Sequence, residues 1–90
     1  MVSVRIPTPL RELSGDRDEL SIDASTVSAL IEKLESECPG MKSRLCDENG
    51  EVRRFINLYV NEEDIRFLDG VSTKLNDGDA ISIIPAIAGG

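Results

Sequence analysis

Ninety residues, 40% of them hydrophobic, are too apolar for disorder and too few for two cores, so one small globular domain is expected. A net charge of −7 excludes phosphate-backbone binding, which needs clustered Lys and Arg, and leaves either solubility or attraction to a basic protein surface as its meaning. The chain contains no His, which excludes Ser-His and Cys-His nucleophile pairs, and it has neither a phosphate-cradling Gly-rich Lys loop nor an apolar run long enough to span a bilayer.

Val2, Val4 and Ile6 alternate with Ser3 and Arg5, the period of a half-buried strand, and Pro7 and Pro9 end it because neither donates to a ladder. Ser14 to Asp18 is turn-rich, and Leu20 and Ile22 alternate with Glu19 and Ser21, so a tight connection and a second strand would complete a hairpin. The period then changes. Val27, Leu30, Ile31, Leu34 and Cys38 form one helical stripe, with Ser25 as the expected N-cap and Pro39-Gly40 as the stop. Met41 and Leu45 suit a short apolar cover over one end of the core, and Asp47 to Glu51 reads as a loop.

Between Phe55 and Val60, alternation sends Ile56, Leu58 and Val60 one way and Phe55, Asn57 and Tyr59 the other. Asn61 to Asp64 turns the chain, Ile65 to Phe67 suggests a fourth short strand, and Asp69-Gly70 and Asn76 to Asp79 are further turns. Ala80 to Ile84 is the last strand, with Ile81 and Ile83 opposite Ser82 and Ile84, and Pro85 ends it. The order β-β-α-β-β-β describes an α+β domain over residues 1–84 with one main helix on a mixed sheet of four to five strands, followed by a tail over residues 85–90.

Cys38 and Cys46 match no common zinc spacing, and no basic segment with an apolar stretch behind it opens the chain; free thiols in a cytoplasmic protein are expected. Asp77 and Asp79 around Gly78, and the run Glu62-Glu63-Asp64, read as turn residues and solvated charge, because the distal Glu of a calcium loop is missing. No catalytic constellation results, so the protein is expected not to be an enzyme and to bind no cofactor of its own.

What remains is the end. Pro85-Ala86-Ile87-Ala88-Gly89-Gly90 closes in small residues and two glycines, and without Cβ atoms the glycines can enter a narrow channel. An enzyme that threads this segment could activate the Gly90 carboxylate. Ordering each tail residue costs about 1–2 kcal/mol of backbone entropy, which a surface on the domain must offset. Phe55, Tyr59 and Ile84, on the face away from Ile56, Leu58 and Ile83, are the candidate partner surface; scattered surface hydrophobes are the alternative.

Two stretches carry a resemblance. Asp77-Gly78-Asp79-Ala80-Ile81-Ser82-Ile83-Ile84-Pro85-Ala86-Ile87-Ala88-Gly89-Gly90 resembles the end of the MoaD/ThiS family of ubiquitin-like sulfur carriers. Phe55 to Phe67 looks most like the family's carrier for cysteine synthesis and is similar to some molybdopterin synthase small subunits. The resemblance implies a β-grasp fold and a Gly90 that an E1-like enzyme adenylates with ATP before its conversion to a thiocarboxylate. It implies that Gly89 permits threading while Ala88, Ile87 and Ala86 line the partner's channel, and that Ile84 is interfacial. It also implies a PLP-dependent synthase that takes the sulfur, a metal-dependent hydrolase that restores Gly90, and a carrier that is monomeric when free. Three readings compete with the cysteine carrier: the small subunit of molybdopterin synthase, a ubiquitin-like modifier of lysines, and an adaptor domain with an incidental Gly-Gly.

Overall fold

Burial follows the alternation predicted for the first two strands. In β1 (Val2–Arg5) Val2 and Val4 are buried and Arg5 is exposed; in β2 (Glu19–Ile22) Leu20 and Ile22 are buried and Glu19 and Ser21 exposed. The computed structural model describes residues 1–85 and pairs these two strands antiparallel, Val2 opposite Ile22 and Arg5 opposite Glu19. Their connection is not tight. The chain uses residues 6–18 to return and passes through a 3-10 turn at Thr8–Leu10 that buries Leu10. Pro9 therefore sits inside the first turn of a short helix, where a missing N–H has no partner to lose.

Helix α1 (Val27–Glu37) buries Val27, Leu30, Ile31 and Leu34, and the stripe continues to a fully buried Cys38. Its N-cap is Thr26 rather than the expected Ser25: the Ala29 N–H donates to Thr26 Oγ1 at 3.1 Å. Ser25 instead supplies its backbone carbonyl to the N–H of Leu75 at 2.8 Å. Gly40, at φ 98°, makes the left-handed turn into α2 (Met41–Leu45), a conformation an L side chain resists. The Glu35 carboxylate accepts from the N–H of Lys42 at 2.9 Å and of Gly40 at 3.2 Å, which holds α2 against α1 and keeps that carboxyl below the usual glutamate range. Met41 and Leu45 are fully buried, so α2 forms a wall of the core itself.

Strand β3 (Ile56–Val60) buries Ile56, Leu58 and Val60. Phe55 precedes it in a turn closed by the Ile56 N–H on the Arg53 carbonyl, so strand alternation does not reach it. A two-residue turn through Asn61 (φ 50°) and Glu62 (φ 80°) leads to β4 (Glu63–Asp64), the left-handed pair that matches strand twist. The fourth strand thus lies before the predicted position. Residues Ile65–Phe67 form a 3-10 turn, because Asp64 accepts the Arg66 N–H at 2.9 Å and caps it. A further 3-10 turn spans Gly70–Ser72.

Strand β5 (Ala80–Pro85) includes Pro85 as its last residue, opposite Ile56, rather than stopping before it. The sheet order is β2-β1-β5-β3-β4, with β1 and β5 parallel at the centre. Val4, Leu20, Leu58, Ile81 and Ile83 face Leu30, Leu34 and Met41 across one core, each fully buried Leu or Val contributing about 1.5–3 kcal/mol. This is the predicted α+β, β-grasp arrangement. The five positions 86–90 lie outside the described residues.

Candidate functional site

The chain reaches residue 86 from the best-supported strand in the molecule. β5 pairs along Ala80–Ser82 with β1 and along Ile81–Pro85 with β3, so its position is fixed from both sides. Its start is held by Asn61, whose N–H donates to the Ala80 carbonyl at 2.8 Å while its side-chain oxygen accepts the Ala80 N–H at 2.9 Å. The same side chain donates through Nδ2 to Asp79 Oδ1 at 2.8 Å. Asp79 also accepts the Asn76 N–H at 2.8 Å, closing the turn in which Gly78 stands at φ 90°. Asp77 accepts from the Met1 ammonium at 2.6 Å, which lowers its own pKa and raises that of the amine. Asp77 and Asp79 thus serve the turn and its surroundings, and among the described residues no group of three or more His, Cys, Asp or Glu is placed to hold a metal ion.

On the sheet face away from α1, pairing registers align Glu19, Arg5, Ser82, Tyr59 and Asp64 in one row across the five strands. The neighbouring row sets Ile84 opposite Asn57. Tyr59 and Ile84 are therefore diagonal neighbours, about 7–8 Å apart at the backbone and within reach of an aromatic ring. Ile84 is 47% exposed and Tyr59 is half-buried beside the small Ser82. Arg66 folds over the edge of this face, donating through Nη2 to Asn57 Oδ1 at 2.7 Å and to the Ile56 carbonyl at 3.2 Å.

Two of the three predicted surface residues, Tyr59 and Ile84, thus share one face next to the exit of β5. Phe55 is 57% exposed in the turn before β3. Gly90, Gly89, Ala88, Ile87 and Ala86 lie outside the described residues. Arg5, Ser82 and Arg66 were not among the predicted residues. No local pattern marks them, because their neighbours come from strand order, not from sequence spacing. Phe67, predicted in a strand, is 86% exposed. Cys38 and Cys46 are free and buried, and burial pushes both thiols up in pKa. On the helix side of the sheet, a cleft of about 240 Å³ is lined by Val52, Ile56, Leu58, Ile65 and Val71, with Glu51 and Arg66 also on its walls. Among the described residues no helix is long and apolar enough to cross a membrane.

A family model described as the ThiS family matches residues 4–90, nearly the whole chain. The chain belongs to the ThiS family. Among curated relatives, sulfur carrier protein CysO of Mycobacterium tuberculosis is 44% identical over 91 aligned positions, covering 99% of this chain and 98% of that protein. Small archaeal modifier protein 3 of Haloferax volcanii is 43% identical over 68 positions, 76% of this chain and 73% of that protein. Among solved structures, a chain in the crystal structure of the Amycolatopsis orientalis BexX/CysO complex superposes with a TM-score of 0.94 at 43% identity, covering all of both chains. The ThiS-family match agrees with the β-grasp architecture built above.

Proposed function

We propose that this ThiS-family protein is a sulfur carrier whose Gly90 is adenylated by an E1-like enzyme and converted to a thiocarboxylate that donates sulfur in cysteine or related small-molecule synthesis. The observation that carries this reading is full-length similarity at 44% identity to sulfur carrier protein CysO, in a chain that itself closes on Gly89-Gly90. A carboxylate is a poor electrophile, and attack of one of its oxygens on the α-phosphorus of ATP, with loss of pyrophosphate, makes that oxygen part of an AMP leaving group. A sulfur nucleophile then adds at the Gly90 carbonyl carbon and AMP departs, leaving C–S in place of C–O. In this role the protein is a co-substrate. ATP is consumed by the activating enzyme, and PLP belongs to the synthase that accepts the sulfur; a metal-dependent hydrolase would restore Gly90. The Tyr59 and Ile84 face is the proposed grip for these enzymes, and Ala86 to Gly90 is the part that threads.

The test is intact-mass measurement of the full chain after incubation with ATP, the host's E1-like enzyme and a sulfide source. Replacement of oxygen by sulfur adds about 16 Da, and Gly90 deletion removes the gain. No gain, with the enzyme active on another carrier, would overturn the proposal. Similarity to small archaeal modifier protein 3 favours protein conjugation as the second reading. It predicts higher-mass adducts on target lysines that vanish when Gly90 is deleted.

A further inference from the structure

The ladder between β1 and β5 stops one rung early, and the cause is two prolines. The Ser3 N–H donates to the Asp79 carbonyl at 3.0 Å, so β1 and β5 exchange bonds through odd-numbered residues. The next rungs after Arg5 would run from Pro7 N to the Ile83 carbonyl and from Pro85 N to the Pro7 carbonyl, and neither proline has an N–H. The Pro7 carbonyl is already used by the Leu10 N–H at 2.9 Å. The chain leaves at Pro7 for the 3-10 turn, and a groove of about 420 Å³ opens where β1 would have continued, between Arg5, Pro7, Thr8 and Arg11 on one wall and Ser82 to Pro85 on the other. This edge of β5 offers acceptors and no donors.

The groove is also basic, in a chain of net charge −7. Arg5 and Arg11 line it, and neither makes an ion pair with another described residue; Arg11 Nε donates to the Ile6 carbonyl at 3.1 Å, which leaves its other guanidinium N–H groups available. Asp18 and Glu19 stand on the far side of the two arginines, away from β5. We propose that this groove receives an extended, carboxylate-bearing segment of the enzyme that grips the tail, whose N–H groups meet the open β5 edge while its acidic side chains pair with Arg5 and Arg11. The inference rests on the carrier reading for the identity of the partner. The groove itself is a property of the fold; it adjoins the Tyr59 and Ile84 face and shares Ile84 with it.

The experiment is an amide NMR titration of the full-length protein with a short blocked peptide of alternating valine and glutamate, alongside the same peptide with lysine for glutamate. The glutamate peptide is expected to shift Ile6, Thr8, Arg11, Ile83 and Ile84, the lysine peptide none of them. Arg11→Glu is expected to weaken binding at least about tenfold. Because Arg11 also bonds to the loop, Arg5→Glu, at an exposed strand position, is measured as well and is expected to act in the same direction. Equal response to both peptides, shifts confined to other parts of the domain, or full affinity in both variants would each overturn the inference. Mass gain at Gly90 without peptide binding would sink the groove and leave the carrier reading; peptide binding without mass gain would do the reverse.

Discussion

Asn61→Ala tests the clamp that fixes the start of β5. The substitution removes two side-chain hydrogen bonds, to Ala80 N at 2.9 Å and Asp79 at 2.8 Å, and places a Cβ-bearing residue without Asn's local bonding at φ 50°. Both bonds are exposed, so each contributes at the lower end of the usual range, about 0.5–1 kcal/mol. The left-handed backbone costs Ala about 1 kcal/mol. The sum is about 2–3 kcal/mol, which lowers Tm by about 10–20 °C for a domain of this length. Urea and thermal unfolding followed by circular dichroism would measure it. Asn61→Gly separates the two causes, since Gly loses the same bonds and keeps the backbone freedom; it should recover about 1 kcal/mol relative to Ala. If Ala and Gly destabilise equally, the backbone argument is wrong. If Ala costs less than about 0.5 kcal/mol, the clamp does not hold β5 and the reasoning fails altogether.

Three further outcomes are expected. Thr26→Ala should cost about 1 kcal/mol as a lost N-cap, while Ser25→Ala, whose side chain caps nothing, should leave the urea midpoint unchanged; the opposite order would restore Ser25 as the cap. Glu35 has a folded pKa below its ordinary value because backbone N–H groups of Lys42 and Gly40 bind its charged form, so its contribution is present above the ordinary glutamate range and is lost as pH falls through the folded value. The stability gap between the wild type and Glu35→Gln should therefore be widest near neutral pH and close on acidification, and a gap constant with pH would refute the assignment. Ile84→Asp and Tyr59→Asp should weaken binding of the E1-like enzyme at least about tenfold, by calorimetry, with the fold intact by circular dichroism. Unchanged affinity would remove this face from the interface.

The strands were legible where alternation had no competitor. Val2, Val4 and Ile6, then Leu20 and Ile22, then Ile56, Leu58 and Val60 all face the core as the period of two requires. Sequence reasoning failed where two local signals stood side by side. Ser25 and Thr26 are both good caps, and only the start of the helix at Val27 decides between them. Ile65 and Phe67 are strand-forming residues, yet the Asp64 carboxylate captures the Arg66 N–H and winds the segment into a 3-10 turn. Pro9 looked like a strand stop and is part of a helical turn, because the space after Pro7 is taken by a loop that buries Leu10. That Tyr59 and Ile84 share the outer face was visible from alternation, while their diagonal contact depends on the pairing of β3 with β5. The row that joins Arg5 and Ser82 to it was not, because it requires knowing that β1 and β5 are neighbours.

On the proposed carrier reading, the two buried cysteines acquire a different meaning. A thiolate is the nucleophile that would attack an acyl-adenylate, in its own molecule or in a neighbour's, and form a dead-end thioester. Cys38 caps the C-terminus of α1 and Cys46 that of α2; both are buried, and burial holds both toward the neutral thiol. On the carrier reading, burial removes the two thiols as competitors for an activated Gly90. The core that stabilises the domain would then also withhold its own thiols from the cargo.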